Sequence, residues 1–384
     1  MRSKLLAALA ALFLPAVAFG ETETAAMPVA ARDDRLILDS LRLRISGVIF
    51  AHWSYDTAQA NPEGPGTNGA NRFDLTRTYI NIEPQVSRNI SLRITPDITR
   101  VSDPDGSLNG SLALRLKYAY AQFADVLPDV RVKGGLQQTA YIDFEDSIWK
   151  YRVLGPAALE LFTGVSSADL GVGAWGKHLG GLVDYQVLLS GGDGYTKGPQ
   201  TARNAAKYKE GAARLTIAPF ATSGGYLLEG LRLTAFAQYA IRQKVADKDV
   251  ERIRVMGLAS WETPYGTLAV SAGPTWDDDV GENALGEATV TNRKGVLAST
   301  FGFVNLPANL RLVGRYDHFT PNTDEEARAE TSGNRTRLIA GLAYRVTDLV
   351  QVIGDYQRFG FEHPEKTGPK DPSSAVFVHL DARY

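Results

Sequence analysis

The chain has 384 residues, of which 44% are hydrophobic and 22% charged, and its formal net charge is −2 at pH 7. The near-balance of acidic and basic residues excludes the strongly basic surface that a nucleic-acid partner requires. Cysteine is absent, which excludes disulfides, thiolate metal ligands and cysteine nucleophiles.

The first 20 residues have the three parts of a secretory signal peptide. Arg2 and Lys4 give a positive beginning, residues 5–14 are apolar, and Ala18 and Gly20 place small residues where a signal peptidase cuts. We predict cleavage after Gly20, with a cut after Ala18 as the alternative. The apolar run is too short for a retained membrane anchor. Residues 21–40 are predicted to form a short periplasmic lead-in.

From residue 41 onward, apolar and polar residues alternate with a period of two, which is typical of strands with one apolar face. At the C-terminus, for example, Val378 and Leu380 alternate with His379 and Asp381. No later apolar run approaches the ~20 residues that a helical membrane span needs. The pattern predicts sixteen strands, at 41–55, 72–83, 90–100, 111–124, 130–140, 168–178, 181–190, 207–218, 229–242, 250–262, 266–274, 294–304, 309–319, 335–346, 348–358 and 374–384.

Long and short connections alternate between these strands. The long ones are 56–71, 191–206, 275–293, 320–334 and 359–373, whereas 84–89, 179–180, 263–265, 305–308 and residue 347 are short, with 219–228 as the exception. A soluble sandwich would also show alternating strands, but long loops at one rim and tight turns at the other are typical of outer-membrane barrels. We therefore predict an all-β, transmembrane antiparallel β-barrel of 16 strands, with 18 possible, over residues 41–384 in a bacterial outer membrane.

Aromatic residues near strand ends fit the two membrane interfaces, although each one alone is compatible with ordinary packing. They are Trp53, Tyr55, Tyr118, Tyr120, Tyr239, Trp261, Tyr316, Tyr344 and Tyr356.

The longest connection, residues 141–167, contains several aromatic side chains that are unlikely to stay in water without a partner. We predict that it folds into the lumen and narrows it, the alternative being a loop that packs outward on a neighbour. Its charged residues are predicted to form the channel constriction: Asp143, Glu145, Asp146, Lys150 and Arg152.

Inward-facing strand positions carry more bases than acids, which favours anions weakly, although a polar lumen needs charges of both signs in any case. The main basic residues assigned to the lumen wall are Arg42, Arg44, Arg93, Arg115, Lys117, Arg131, Lys133, Arg252 and Arg254. Further candidates on the same face are Arg214, Arg232, Arg311, Arg315, Arg337 and Arg345, and the inward acids are Asp74, Asp97, Asp184, Asp317 and Asp355.

Enzymatic and metal sites have little support. None of the five histidines has zinc-ligand spacing, and no Gly-x-Ser-x-Gly elbow occurs. The run Asp277–Asp279 has the ligands for calcium but is more simply read as a solvated loop tip. We predict no enzyme, no cofactor and no metal.

From about residue 45 to the end, the chain resembles the phosphate-selective porin O and P family. The matching segments are 166–172 (SSADLGV), 191–195 (GGDGY), 314–321 (GRYDHFTP), and 335–345 followed by 355–357 (DYQ). The resemblance implies a water-filled barrel of sixteen to eighteen strands, usually trimeric, whose terminal aromatic, here Tyr384, is read by the assembly machinery. Phosphate-selective members carry a dense set of arginines on the inward loop, whereas this chain has only Lys150 and Arg152 there.

The predicted function is passive diffusion of small hydrophilic solutes or anions through an outer-membrane porin. A structural or adhesive barrel without an open channel is the alternative. The expected partners are membrane lipid and lipopolysaccharide, the transported solutes, and two further copies of the chain in a homotrimer.

Overall fold

The computed structural model describes residues 42–59, 69–101, 107–192, 194–196, 209–222, 225–245, 248–282, 287–366 and 372–384. The predicted signal peptide (1–20) and lead-in (21–40) lie outside these residues. Sixteen strands form one closed barrel, as the alternation predicts. They are β1 Arg42–Gln59, β2 Asn71–Ser87, β3 Ile90–Arg100, β4 Leu112–Leu127, β5 Val130–Gln138, β6 Ala168–His178, β7 Val183–Ser190, β8 Glu210–Ile217, β9 Leu231–Val245, β10 Lys248–Thr263, β11 Gly266–Glu282, β12 Ala288–Asn305, β13 Leu310–Thr320, β14 Arg335–Arg345, β15 Val350–Phe361 and β16 Pro372–Arg383.

Four short α-helices lie in the connections: α1 Ile142–Trp149, α2 Ala158–Thr163, α3 Gly225–Leu228 and α4 Glu325–Ala329. No helix among the described residues is long and apolar enough to cross a membrane.

The barrel closes where the last strand meets the first. Each strand pairs antiparallel with its neighbours in sequence, and β1 pairs with β16 in a register that places Val48 opposite Arg383 and Trp53 opposite Val378. Closure leaves no edge strand, so every strand of the barrel has a hydrogen-bonding neighbour on both sides, which a hydrocarbon environment requires.

Side chains alternate between an exposed apolar outer face and an inner face. On β13, Leu312 and Tyr316 are exposed, whereas Arg315 and Asp317, on either side of Tyr316, are buried inside the barrel. The apolar outer face recurs around the barrel, for example at Leu43, Ile45, Leu114, Leu170, Leu189, Leu233, Leu268, Leu342 and Leu380. Such a continuous apolar belt is stable in lipid and not in water, so this is the architecture of a bacterial outer-membrane protein.

The connections differ between the two rims. At the proximal rim, which carries Arg42 and Tyr384, most turns are short, such as 88–89, 128–129, 264–265 and 346–349, and only 218–230 is longer. At the distal rim, most connections are longer, such as 139–167, 191–209 and 321–334.

The predicted long loop at 275–293 is wrong, because β11 and β12 continue as a paired hairpin through most of it. Its polar side chains pair across the strands: Arg293 binds Asp279 at 3.1 Å, and Asn292 donates to Asp278. Asp277 lies within β11 and binds Arg254 at 2.8 Å. The acidic run is therefore part of a strand ladder and is not a loop tip.

Among the register shifts of β1–β5, two β-bulges change which central side chains face the lumen. One falls between Leu75 and Arg77 of β2, and the other places an extra residue at Lys117 of β4. A bulge shifts all following side chains to the other face. Tyr118 and Tyr120 consequently face the lumen, so their predicted place at the membrane interface is wrong.

Candidate functional site: the lumen and its inward loop

Residues 139–167 cross the inside of the barrel from β5 to the opposite wall. Tyr141, Trp149 and Tyr151 are at most 1% exposed. Their rings pack on inward-facing aromatic residues, with centroids 5.6 Å apart for Trp149 and Phe301 and 5.5 Å for Tyr151 and Phe303. The aromatic side chains that make this segment unsuited to water thus cover an apolar patch inside the barrel.

Polar side chains of the opposite wall hold the loop in place. The buried guanidinium of Arg315 donates to Glu145 at 2.7 Å and to Asp317 at 2.9 Å. Other wall side chains donate to loop carbonyls: Arg214 to Ala140, Arg254 to Thr163, Arg337 to Pro156 and Gln357 to Leu154. These arginines face inward as predicted from sequence, but they anchor the loop and do not line an open channel.

Open space remains on the other side of the loop. A cavity of about 510 Å³, called the gap below, lies between α1 and the wall formed by β1–β4, and its lining includes Arg77, Arg93 and Lys117 from the wall. A second cavity of about 570 Å³ lies toward the proximal rim. Lys150 lines both cavities. The two cavities outline a route along the loop from one to the other.

The residues assigned to the constriction divide between two sides of the loop. Asp143, Asp146, Lys150 and Arg152 line the gap. Glu145 faces the other way and is 1% exposed beneath the loop, so its predicted place at the constriction is wrong. The physical reason is helical geometry: successive residues of α1 are rotated by about 100°, which puts residue 145 on the face opposite residue 143.

The two loop bases are both paired. Arg152 binds Asp146 at 3.2 Å and Glu160 of α2, which ties the two helices together. Lys150 has a left-handed backbone (φ 64°) at the end of α1 and binds Glu262 of β10 at 3.1 Å. These pairs fix the loop and leave the loop bases with little uncompensated charge.

The acids of α1 that line the gap are partly buried. Burial raises the pKa of Asp143 to about 6, and the neighbouring Asp146 adds to this, while Lys117 and Arg152 oppose it. Burial also raises the pKa of Asp146, again against the effect of Arg152. Burial alone would raise the pKa of Glu160 as well, but its contact with Arg152 holds that pKa below the usual value. The carboxyl of Asp143 therefore changes its charge as the pH falls through about 6.

The predicted wall bases differ in whether a carboxylate neutralises them. Arg254 binds Asp277, and Arg252 lies 3.6 Å from the same carboxylate. On the other wall, Arg115 binds Asp97 at 2.9 Å, and Arg93 lies 3.5 Å from Glu83. Near the proximal rim, Arg44 lies 3.8 Å from Glu83, and Arg42 and Arg131 are exposed.

Three inward-facing bases of the β2–β5 wall have no such partner, and two of them, Arg77 and Lys117, line the gap. Among the described residues, no carboxylate oxygen lies within 4.0 Å of Arg77, Lys117 or Lys133. Lys117 instead donates to Ser167, and Lys133 to Gln138 at 2.9 Å. Arg77 does not appear among the bases predicted from sequence, because the bulge before it reverses the face that simple alternation assigns. A break in alternation between Asp74 and Tyr79 is the only sequence signal for it.

Tyr384 closes the proximal end of the β1–β16 seam. Its backbone exchanges hydrogen bonds with Gly47 at 2.9 and 3.2 Å. A Cβ on Gly47 would lie 2.5 Å from the Tyr384 ring and 2.3 Å from the Tyr79 carbonyl oxygen, so only glycine fits there. The terminal ring is about half exposed, which leaves part of it accessible from the proximal rim.

We predict that deleting Tyr384 leaves export intact but strongly reduces the amount of folded, heat-modifiable protein in the membrane. The deletion removes both the terminal aromatic and the last hydrogen bonds of the closing seam. Gel mobility of unboiled membranes measures the folded fraction, with Tyr384→Phe as the control that keeps the ring. Wild-type levels of folded protein in the deletion variant would contradict the assembly role.

No protein-family model matches the chain, and no curated protein does either. The resemblance to the porin O and P family therefore stays a prediction. Solved structures match closely in fold. The outer membrane channel DcaP of Acinetobacter baumannii is 15% identical over 90% of this chain and 98% of its own, with a TM-score of 0.61. An anion-selective porin from Comamonas acidovorans is 10% identical over 90% and 99%, with a TM-score of 0.57.

A third match is the trimer form of OmpT, an outer membrane protein of Vibrio cholerae, which is 11% identical over 90% of this chain and 99% of its own, with a TM-score of 0.54. At these identities the likeness concerns the fold. Together with the closed sixteen-stranded barrel, it shows that the chain has the fold of the bacterial outer-membrane porins.

Proposed function

We propose that this protein is a porin that lets small hydrophilic solutes diffuse passively across the outer membrane, with a preference for anions. The observation that carries the proposal is the gap, which Arg77 and the buried Lys117 line without a carboxylate oxygen within 4.0 Å of either base among the described residues. Excess positive charge in a narrow, partly dehydrated passage attracts anions and repels cations. The bases of the β8–β14 wall contribute less to the preference for anions, because carboxylates and loop carbonyls compensate their charges.

The proposal includes no enzymatic activity. It also includes contacts of the apolar belt with membrane lipid and lipopolysaccharide, and assembly into a homotrimer, which the trimeric form of the OmpT match supports. The chain's likeness to an anion-selective porin supports the ion preference. Preference for phosphate is not part of the proposal, because the inward loop has only two bases and both are paired with carboxylates.

The double variant Arg77→Gln and Lys133→Gln is expected to lower the anion-to-cation permeability ratio several-fold. Both side chains are half-buried inward-facing bases: Arg77 lines the gap, and Lys133 donates to Gln138, which lines it, so their charges act on a permeating ion with little screening. The measurement is the reversal potential of the reconstituted protein in a planar bilayer under a salt gradient.

The control variant, Arg293→Gln with Arg328→Gln, removes the same charge from the distal rim, beyond the gap. It should shift the ratio much less, because these partly buried side chains lie outside the gap, where salt screens their effect on a permeating ion. Equal shifts in the two variants would mean that the gap does not set the ion preference. A wild-type protein that forms no conducting channel would contradict the porin proposal and favour a structural barrel.

A further inference from the structure

The bases around the gap share a second feature, which is that each lies over an aromatic ring. Arg77 is 4.7 Å from the Tyr79 ring centroid, and the Nζ of Lys117 is 3.7 Å from that of Tyr195. Lys133 lies between two rings, 4.2 Å from Trp175 and 4.6 Å from Tyr120. Aromatic faces stabilise a cation without neutralising it, so these bases keep their capacity to bind an anion.

The bases and rings follow one another along a single side of the lumen. In the strand register, Arg93 lies opposite Tyr120, Gln122 opposite Lys133, and Arg131 opposite Trp175, in order toward the proximal rim. Arg93 also lies over the Tyr118 ring at 4.9 Å. We call this row the aromatic track: Arg77, Arg93, Lys117 and Lys133 with Tyr79, Tyr118, Tyr120, Trp175 and Tyr195.

The two bulges explain why rings and bases share this face. Without the bulge at Lys117, alternation from Arg115 would point Tyr118 and Tyr120 at the membrane. Without the bulge in β2, Tyr79 and Arg77 would point outward as well. Two local irregularities therefore place the β2 and β4 members of the aromatic track, namely Arg77, Tyr79, Tyr118 and Tyr120, on the lumen wall.

We propose that the aromatic track makes the channel selective for aromatic carboxylates over aliphatic carboxylates of the same charge and size. The inference rests on the proposed porin function and names its preferred solute class. A carboxylate can pair with one of the uncompensated bases while a planar ring stacks on the neighbouring Tyr or Trp face, and the next base and ring along the wall offer the same pair of contacts. A strongly hydrated anion such as phosphate gains only the first of these contacts.

The test uses the full-length protein in planar bilayers with gradients of sodium benzoate, sodium cyclohexanecarboxylate and sodium phosphate. Benzoate and cyclohexanecarboxylate have the same charge and nearly the same size, but only benzoate is planar and aromatic. We expect the wild-type protein to pass benzoate several-fold better than cyclohexanecarboxylate, and phosphate least well.

The variant Tyr120→Leu with Trp175→Leu removes the rings on both sides of Lys133 and keeps the base. It is expected to bring the permeability ratio of benzoate to cyclohexanecarboxylate close to one while the preference for anions over sodium persists. The control Tyr316→Leu with Tyr356→Leu removes two exposed outward rings and should leave the ratio unchanged.

Equal permeability of benzoate and cyclohexanecarboxylate in the wild-type protein would overturn the inference, as would a phosphate permeability above that of benzoate. Both results can occur in a working anion channel, so they leave the proposed function intact. Absence of any conductance would instead overturn the proposed function. The comparison of benzoate with cyclohexanecarboxylate in the wild-type protein decides the inference. The test therefore remains valid even if the Tyr120→Leu, Trp175→Leu variant fails to fold.

Discussion

Replacing Arg315 with Met is expected to lower the free energy of unfolding by about 3–5 kcal/mol, the usual cost of leaving a buried charge without its partner. Arg315 is fully buried and donates both to Glu145 on the inward loop and to Asp317 on its own strand. Asp317 keeps a second partner, Arg337, at 2.6 Å. Among the described residues, no other cation lies within 4.0 Å of the Glu145 carboxylate, so the loop loses the ion pair that compensates this buried charge.

The variant should also conduct differently, because a loop released from β13 no longer defines the width of the gap. We expect higher and noisier single-channel conductance, together with a lower temperature for loss of the heat-modifiable band. Both measurements use the same refolded preparation. Unchanged stability and unchanged conductance would show that the pair between Glu145 and Arg315 does not hold the loop.

The double variant Glu145→Gln with Arg315→Met provides the matched control. Removing both members of a buried pair costs much less than removing one, since no charge is left unpaired. Most of the lost stability should therefore return. A surface comparison is Arg232→Met, whose partner Glu262 is only partly buried and also binds Lys150. Its effect should stay below about 1 kcal/mol.

The strands could be predicted from sequence because lipid outside and charge inside impose the same alternation on every strand. β13 shows this most simply, with Leu312 and Tyr316 outward and Arg315 and Asp317 inward. The ends of the strands are harder to predict from the sequence. The polar hairpin at the distal ends of β11 and β12 has the composition of a loop, but a backbone ladder and cross-strand polar contacts such as Arg293 with Asp279 keep it extended.

The site was predictable to the level of the inward loop and the inward-facing bases, but not to the roles of individual residues. Glu145 and Asp143 are two residues apart in one acidic segment, and which of them faces the gap depends on how α1 docks on a wall 170 residues away in sequence. Which bases remain uncompensated depends likewise on contacts across the barrel. Arg77 is not among the inward-facing bases predicted from sequence, because the extra residue of the bulge before it turns its side chain from the membrane face to the lumen face.

Lowering the pH from about 7.5 to about 5 is expected to raise the anion-to-cation permeability ratio about fivefold. Burial raises the pKa of Asp143 to about 6, so this carboxyl is charged at the higher pH and neutral at the lower one. The groups around it are Asp146, Arg152, Lys117 and Arg93, and the Tyr118 hydroxyl, which is 3.3 Å from its oxygens. One charge at ~8 Å in an effective dielectric of ~20 contributes about 2 kcal/mol, which salt reduces to about 1 kcal/mol, a factor of about five.

Asp143→Asn removes one titrating carboxyl of the gap, so the ion preference of the variant at about pH 7.5 should already be shifted toward that of the wild-type protein at about pH 5. A smaller change in the anion-to-cation permeability ratio between about pH 7.5 and about pH 5 should remain in the variant, because burial also raises the pKa of Asp146. The stability of the protein gives a second measurement of the Asp143 carboxyl, because proton binding and folding are thermodynamically linked. A carboxyl whose folded-state pKa is raised from 3.8 to about 6 contributes stability below pH 3.8 that is lost as the pH rises through 6. The variant should therefore be at least as stable as the wild-type protein at about pH 7.5. If Asp143→Asn keeps the full pH step in reversal potential, the titrating group lies elsewhere in the lumen and the carboxyl of Asp143 does not tune the gap.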